Sequence, residues 1–322
     1  MNDTPVTQAL ADADAVTQRR PLRRRVAVVL NGAAGALLAQ ADAIGGTRQL
    51  FEAAGLEADF VPSDHGTLPE RIAHARDSGA DAVVVGGGDG TIACAAEALA
   101  GDTVPLGILP LGTMNLMARD LGLPIDDLVA AIRVVSDGIE RQVDVGEVNG
   151  HVFLCASMLG LPARLARYRE QRRGKMLLVV RAWRMAAATL RALRRESLEV
   201  VGLSAGAAPK QLRSVSLTIA VNAYDAQQAG RVFARSRLDG GELVTYLVRR
   251  LRLADALRLA RALATHSWQN DRQIEQQRAP EVVVQSRRRA MRVMNDGEVM
   301  LIAPPLRYRV RPRALTVLVP SP

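Results

Sequence analysis

The chain has little cysteine, few aromatic rings and almost no lysine. Cys94 and Cys155 are its only cysteines, too few for a disulfide scaffold, so a reducing compartment is the default expectation. Two Trp, four Tyr and four Phe leave little for stacking on bases, which weighs against binding of single-stranded nucleic acid. The four histidines (His65, His74, His151 and His266) lack the spacing of metal ligands. No apolar run precedes Arg19, against a secretory signal, and no uncharged run nears the ~20 residues of a membrane-spanning helix. Also missing are the Walker A Gly-Lys-Ser/Thr and the dinucleotide-binding fingerprint. What remains is globular in composition and, at 322 residues, long enough for two domains. The net charge of +9 is carried by arginine, since Lys175 and Lys210 are the only lysines. Such an excess points to an anionic partner: nucleic acid, an anionic membrane or a phosphorylated substrate.

The most informative stretch is Val83-Val84-Val85-Gly86-Gly87-Gly88-Asp89-Gly90-Thr91. Three β-branched residues read as a buried parallel strand, the glycines as a turn, and Ile92 to Ala100 as a helix. Strand end, glycines and helix N-terminus together make a site suited to phosphate. Around it, strands are expected at Val26–Leu30, Ala58–Pro62, Asp81–Val85 and Val104–Leu109, with helices at 36–54 and 67–78 between them. That alternation predicts a parallel sheet covered by helices, with ligands at the carboxyl ends of the strands. From about residue 140 the pattern changes. Two apolar-alternating runs joined by Asn149-Gly150 predict a hairpin. Further runs at Leu198–Leu203, Leu212–Asn222, Glu242–Val248, Glu281–Gln285, Ala290–Met294, Glu298–Ile302 and Ala314–Val319 make the second half mainly antiparallel sheet. Two basic helices interrupt it, Lys175–Arg195 and Arg249–Ala264, which fit either a solvated charged face or a contact with anionic lipid. Residues 1–24 end in an arginine cluster and read as a mobile basic tail.

Several polar residues fall at strand ends. Asn31 closes the first strand and Ser63 the second, where its hydroxyl could reach a nucleotide. Gly112, Thr113 and Asn115 follow the fourth strand, to cap the next helix or to bond phosphate and ribose oxygens. Far downstream, Asn295-Asp296-Gly297-Glu298 reads locally as a hairpin turn, because these residues tolerate positive φ. Its functional reading makes Asp296 a general base with Glu298 as its partner.

These residues resemble the diacylglycerol kinase catalytic-domain family, in particular its soluble bacterial lipid-kinase branch. The resemblance rests on Gly87-Gly88-Asp89-Gly90-Thr91, Pro110-Leu111-Gly112-Thr113-Met114-Asn115, Asp296-Gly297-Glu298 and the closing Pro304–Leu315 segment. The glycine motif alone is shared with NAD kinases. The resemblance implies a parallel-sheet α/β nucleotide domain over 25–140 plus the returning 303–322. A C-terminal antiparallel β-sandwich domain over 141–302 would carry the lipid substrate. It implies ATP and Mg2+ in the cleft between them, with Asn31, Ser63, Gly87, Gly88, Asp89, Gly90, Thr91, Gly112, Thr113 and Asn115 around the nucleotide. Asp296 and Glu298 would serve catalysis, and the product would be a lipid phosphorylated on its hydroxyl. A cytoplasmic protein, peripheral at the inner membrane surface and without nucleic acid, is expected; many family members are dimers.

The chain departs from the pattern in places. Gly32 replaces a proline in the first turn, and Ala93-Cys94 replaces an Asn-Glu pair. The family's structural Mg2+ site in the second domain uses an aspartate directly before Gly-x-Leu or Gly-x-Phe; before Gly241-Glu242-Leu243 that position is Gly240, and Asp239 stands one residue early. A kinase of a soluble hydroxyl, such as an NAD kinase, and a catalytically silent nucleotide- or lipid-binding protein are the alternatives.

Overall fold

In the computed structural model the described residues are 25–31, 43–163, 198–204, 210–225, 233–248 and 271–321, with positions 255, 258, 261, 262, 265 and 268. The basic tail, the Gly32 turn, the Lys175–Arg195 helix and most of Arg249–Ala264 lie outside them. The chain divides into two compact units, Met1–Val143 with Ala314–Pro322, and Asp144–Arg313.

In the first unit, strands and helices alternate: β1 (Arg25–Leu30), α1 (Ala43–Ala53), β2 (Glu57–Phe60), α2 (Leu68–Asp77), β3 (Ala82–Gly87), α3 (Asp89–Leu99) and β4 (Leu106–Pro110). The short α4 (Leu116–Asp120) and α5 (Leu128–Asp137) follow. The strand order is β2-β1-β3-β4, all parallel, and Val317 of the last strand adds parallel to β4 at Leu106. Every residue of β3 is buried, as expected when helices cover both faces of a parallel sheet. Its core joins Val26, Val28, Val84 and Leu109 of the sheet to Phe51, Ile132 and Val135 of α1 and α5. The amphipathic α5 begins at Asp127, whose side chain accepts from Ala130 N–H at 2.9 Å. Sequence reasoning had passed over this helix.

The second unit is antiparallel. β5 (Ile139–Val148) and β6 (His151–Phe153) form the hairpin at Asn149-Gly150, where φ is +47° and +92°. Both residues sit in the left-handed region that a tight hairpin turn needs. One sheet contains β8 (Leu198–Ser204), β9 (Lys210–Ser214), β13 (Glu281–Gln285) and the first part of β16 (Leu306–Val319). The other has the order β12-β11-β10-β7-β14-β15. Its strands are β7 (Ala156–Gly160), β10 (Ser216–Val221), β11 (Leu243–Val248), β12 (Ile274–Ala279), β14 (Met291–Asn295) and β15 (Glu298–Ile302). Inward residues of both sheets share one core, with Leu159, Leu217, Ile219 and Val293 against Val282, Val284, Leu306 and Tyr308. This is the β-sandwich expected from the resemblance. The outer face of the six-stranded sheet carries a second cluster of Ala156, Ala220, Tyr224, Val244, Tyr246 and Trp268. No helix among the described residues is long and apolar enough to cross a membrane.

Candidate active site

In the first unit the strand-to-helix junction is tighter than a glycine loop. Gly87 ends β3, Gly88 is the N-cap of α3 at φ −91°, and Asp89, Gly90 and Thr91 are already its first turn. None of these glycines has a positive φ, so their purpose is not left-handed backbone. It is close approach. A Cβ on Gly87 would stand 2.5 Å from Cβ of Thr91, and one on Gly112 would stand 2.5 Å from Cα of Gly88. The loop after β4 therefore presses against the start of α3, and Leu111 N–H donates to Gly87 O at 3.0 Å. No side chain caps α3, and its first intrahelical bond is Ile92 N–H to Gly88 O at 3.1 Å. The amides of its first turn and its dipole thus face a position suited to an anion.

The side chains around this junction are engaged in holding it. Asn31 donates from Nδ2 to Thr91 Oγ1 at 2.8 Å, and its backbone N–H goes to Gly86 O. Asp89 reaches across to α4, accepting from Leu116 N–H at 2.6 Å. Burial pushes its carboxyl above the usual range, while the amides of Leu116, Met117 and Asn115 pull it back. Asn115, at φ +49° and buried, gives both Nδ2 hydrogens to its own loop, at Pro110 O (3.1 Å) and Gly112 O (2.9 Å). Its Oδ1 accepts from Gly112 N–H at 3.0 Å. Asn115 therefore shapes the loop rather than presenting a free amide. Thr113 and Ser63 are exposed, in the loop after β4 and the turn after β2. The structure thus brings Asn31, Gly87–Thr91, Gly112 and Asn115 together.

Arg71, unnoticed in the sequence, belongs to the same corner. The residue is 7% exposed, and its Nη2 donates to Leu30 O (3.1 Å) and Val61 O (2.9 Å), at the carboxyl ends of β1 and β2. Nothing in the residue pattern separates it from the other 41 basic residues of the chain's 42.

In the second unit Asp296 and Gly297 are the two turn residues between β14 and β15, at φ +46° and +99°. Asp296 is both a turn residue and a placed carboxylate. Its Oδ1 accepts from Cys155 N–H (2.8 Å) and Ala156 N–H (2.9 Å), and Oδ2 from Leu154 N–H (2.6 Å). A carboxylate accepts about four hydrogen bonds, so one lone pair of Oδ2 remains. Burial pushes this carboxyl above the ordinary range, against the pull of those three amides and of the Arg235 charge. Glu298 is exposed, opposite Asn295 across the hairpin.

Asp239 does not fit the structural Mg2+ site expected in the second domain. Its carboxylate faces Arg237 Nε at 3.7 Å and Arg313 Nη2 at 3.9 Å, an ion pair rather than a cage of oxygens. A Cβ at Gly240 would meet Asn222 Oδ1 at 2.6 Å, so no aspartate fits there without movement. The buried carboxylate of this corner is Asp144, which takes Gly241 N–H (2.6 Å), Arg313 N–H (2.8 Å) and Asn222 Nδ2 (3.0 Å). Among the described residues no group of three His, Cys, Asp or Glu is placed to hold a metal.

Comparison with known proteins matches these two halves separately. A model of the diacylglycerol kinase catalytic domain matches residues 25–148, and one of the YegS C-terminal NAD kinase beta sandwich-like domain matches 160–319. A diacylglycerol kinase of Bacillus subtilis is 41% identical over 113 residues, 33% of this chain and 36% of the relative. One of Mycobacterium tuberculosis is 41% identical over 90 residues, 28% of this chain and 29% of the relative. The aligned stretches thus span about a third of these relatives' lengths. A diacylglycerol kinase structure from Bacillus anthracis has the same fold, with a TM-score of 0.65 at 18% identity over 94% of this chain and 98% of that one.

Proposed function

The chain belongs to the diacylglycerol kinase catalytic-domain family, and from that premise we propose that it transfers the γ-phosphoryl group of ATP to a lipid hydroxyl. The observation that carries the proposal is the uncapped N-terminus of α3, opening directly from β3 and pressed against the Gly112 loop. Phosphoryl transfer asks the protein mainly for positioning and charge stabilisation, so backbone amides can do what a Walker lysine does elsewhere. Gly87 to Thr91 cradle the phosphates in this reading. Asn31, Gly112 and Asn115 keep the cradle in shape, and Ser63 and Thr113 offer hydroxyls to the rest of the nucleotide. Asp89 is the carboxylate of this junction that would hold a Mg2+ bound with the nucleotide, and such an ion would neutralise phosphate charge.

Asp296 accepts the proton of the acceptor hydroxyl on the remaining lone pair of Oδ2, with Glu298 beside it. A raised carboxyl is the better base for that step. An apolar acceptor is favoured by what surrounds Asp296. Ala156, one of its three amide donors, also belongs to the cluster of Tyr224, Tyr246 and Trp268, beside which Phe233 is 44% exposed.

The test is label transfer from γ-labelled ATP by the purified chain, offered diacylglycerol in mixed micelles or NAD in solution. Label in the lipid phase is expected, and label in NAD alone would replace the lipid reading. Asp296→Asn should lower turnover about 10²–10⁴-fold, with ATP binding near wild type. Full turnover in that variant would reduce Asp296 to a turn residue.

A further inference from the structure

Arg235 is the most deeply buried arginine described, at 2% exposed, and it lies between β10 and β11 in the second unit. Its Nη1 donates to Leu154 O at 2.8 Å and Val221 O at 2.9 Å, and its Nη2 to Cys155 Sγ at 3.2 Å. Leu154 and Cys155 are two of the three residues whose amides hold Asp296. The peptide between them is thus gripped at both ends. Its carbonyl takes a guanidinium N–H, and its N–H goes to Asp296 Oδ1. Both hydrogen bonds are charge-assisted, and each polarises the peptide in the direction that strengthens the other.

We propose that Arg235 is a positioning residue for Asp296, holding the Leu154–Ala156 amides on the carboxylate and supplying the positive charge that balances it through one peptide. The inference rests on Asp296 as the base. A solely structural arginine would satisfy the same carbonyls, but a buried guanidinium is costly to desolvate, and a neutral donor could do that work. What an arginine adds is charge, and it is placed one peptide away from a half-buried carboxylate. The other ionisable groups around Asp296 do not provide that charge. Tyr224 stays a neutral phenol, pushed well up by burial. Cys155 already accepts from Arg235, and Glu298 stands two residues along the hairpin.

The sign follows from the charge. Loss of the cation lets the Asp296 carboxyl rise further, so the acidic limb of the kcat/KM profile moves to higher pH. In Arg235→Gln, whose amide can still donate to a carbonyl, kcat/KM on the acidic limb should fall about tenfold, the effect of one pKa unit. It should recover at alkaline pH, with KM for ATP unchanged. Arg235→Lys keeps a cation but cannot reach both carbonyls and the sulfur together. Its limb should stay in place while kcat falls several-fold. A Gln variant with the wild-type limb, or one that loses the same factor at every pH, overturns the proposal. If the Gln variant does not fold, Arg235→Lys decides, since an unchanged kcat there overturns it equally. Asp296→Asn separates the two layers. Full turnover in that variant removes the base and this inference together, whereas a dead Asn variant beside an unmoved Gln limb removes this inference alone.

Discussion

Replacing Gly112 with alanine adds one methyl group where two loops touch. The new Cβ would lie 2.5 Å from Gly88 Cα and 2.8 Å from Asn115 Oδ1. Carbon atoms pack at about 3.5–4.0 Å, so the loops must part by about 1 Å. Neither neighbour can yield cheaply. Gly88 is backbone at the N-cap of α3, and Asn115 is fixed by three hydrogen bonds within its loop. Overpacking of this kind costs about 1–3 kcal/mol. At about 2–4 °C per kcal/mol, Tm should fall by about 2–12 °C. The effect on catalysis should be larger, because a displacement of about 1 Å in a positioning element can cost 10²-fold. The expected result is a modest loss of Tm with kcat/KM for ATP down about 100-fold. Gly46→Ala is the control: it lies inside α1 with nothing within 4 Å of a new Cβ, and helix propensity predicts a gain of up to about 1 kcal/mol. Circular-dichroism melts and initial rates across ATP concentrations check both. Wild-type Tm and kcat/KM in Gly112→Ala would refute the close contact as the reason for glycine there.

Arg71→Met should strand the carbonyls of Leu30 and Val61. Each unmet carbonyl costs about 1–3 kcal/mol, part of it returned by removing a buried cation, so urea unfolding should show a net loss of about 1–3 kcal/mol. Asp239→Ala should change stability by less than about 1 kcal/mol, the range of exposed ion pairs. For the same reason Tm without nucleotide should be the same in excess Mg2+ and in EDTA; a Tm raised by Mg2+ and lost in Asp239→Ala would restore the metal site.

The first unit was legible because parallel strands are continuous apolar runs. Val26–Leu30 and Asp81–Val85 became β1 and β3 with ends shifted by no more than two residues. Runs were less informative where the chain changes sheet. Leu212–Asn222 reads as one strand, yet β9 and β10 belong to different sheets and part at Val215. Apolar alternation reports which face is buried and says nothing of which sheet owns it. β12, Ile-Glu-Gln-Gln-Arg-Ala, was missed because an edge strand needs few apolar residues. In the site, residue types were readable but their tasks were not. The glycines looked like turn formers, whereas what they provide is room for a close approach at Gly87 and Gly112. Arg71 and Arg235 carried no signal in a chain where arginine is everywhere.

The Asn-Asp-Gly hairpin shows why a bland local reading and a chemical one need not compete. A left-handed residue at the first turn position is what a two-residue hairpin requires, and aspartate tolerates it with glycine beside it. That conformation also sets where the side chain goes. With Asp296 at φ +46°, its carboxylate reaches the amides of Leu154 to Ala156, and its own N–H donates to Ala156 O at 3.0 Å. Asn115 does the same thing in the first unit. At φ +49° its amide turns back on Pro110 and Gly112, and the loop that it fixes touches α3. Each half of the proposed reaction thus depends on a short polar residue held in left-handed backbone. At both positions glycine would keep the turn and lose the hydrogen bonds, whereas alanine would lose both. Activity that survives at Asn115→Gly but not at Asn115→Ala would make the backbone the essential part there. Loss in both would assign it to the amide.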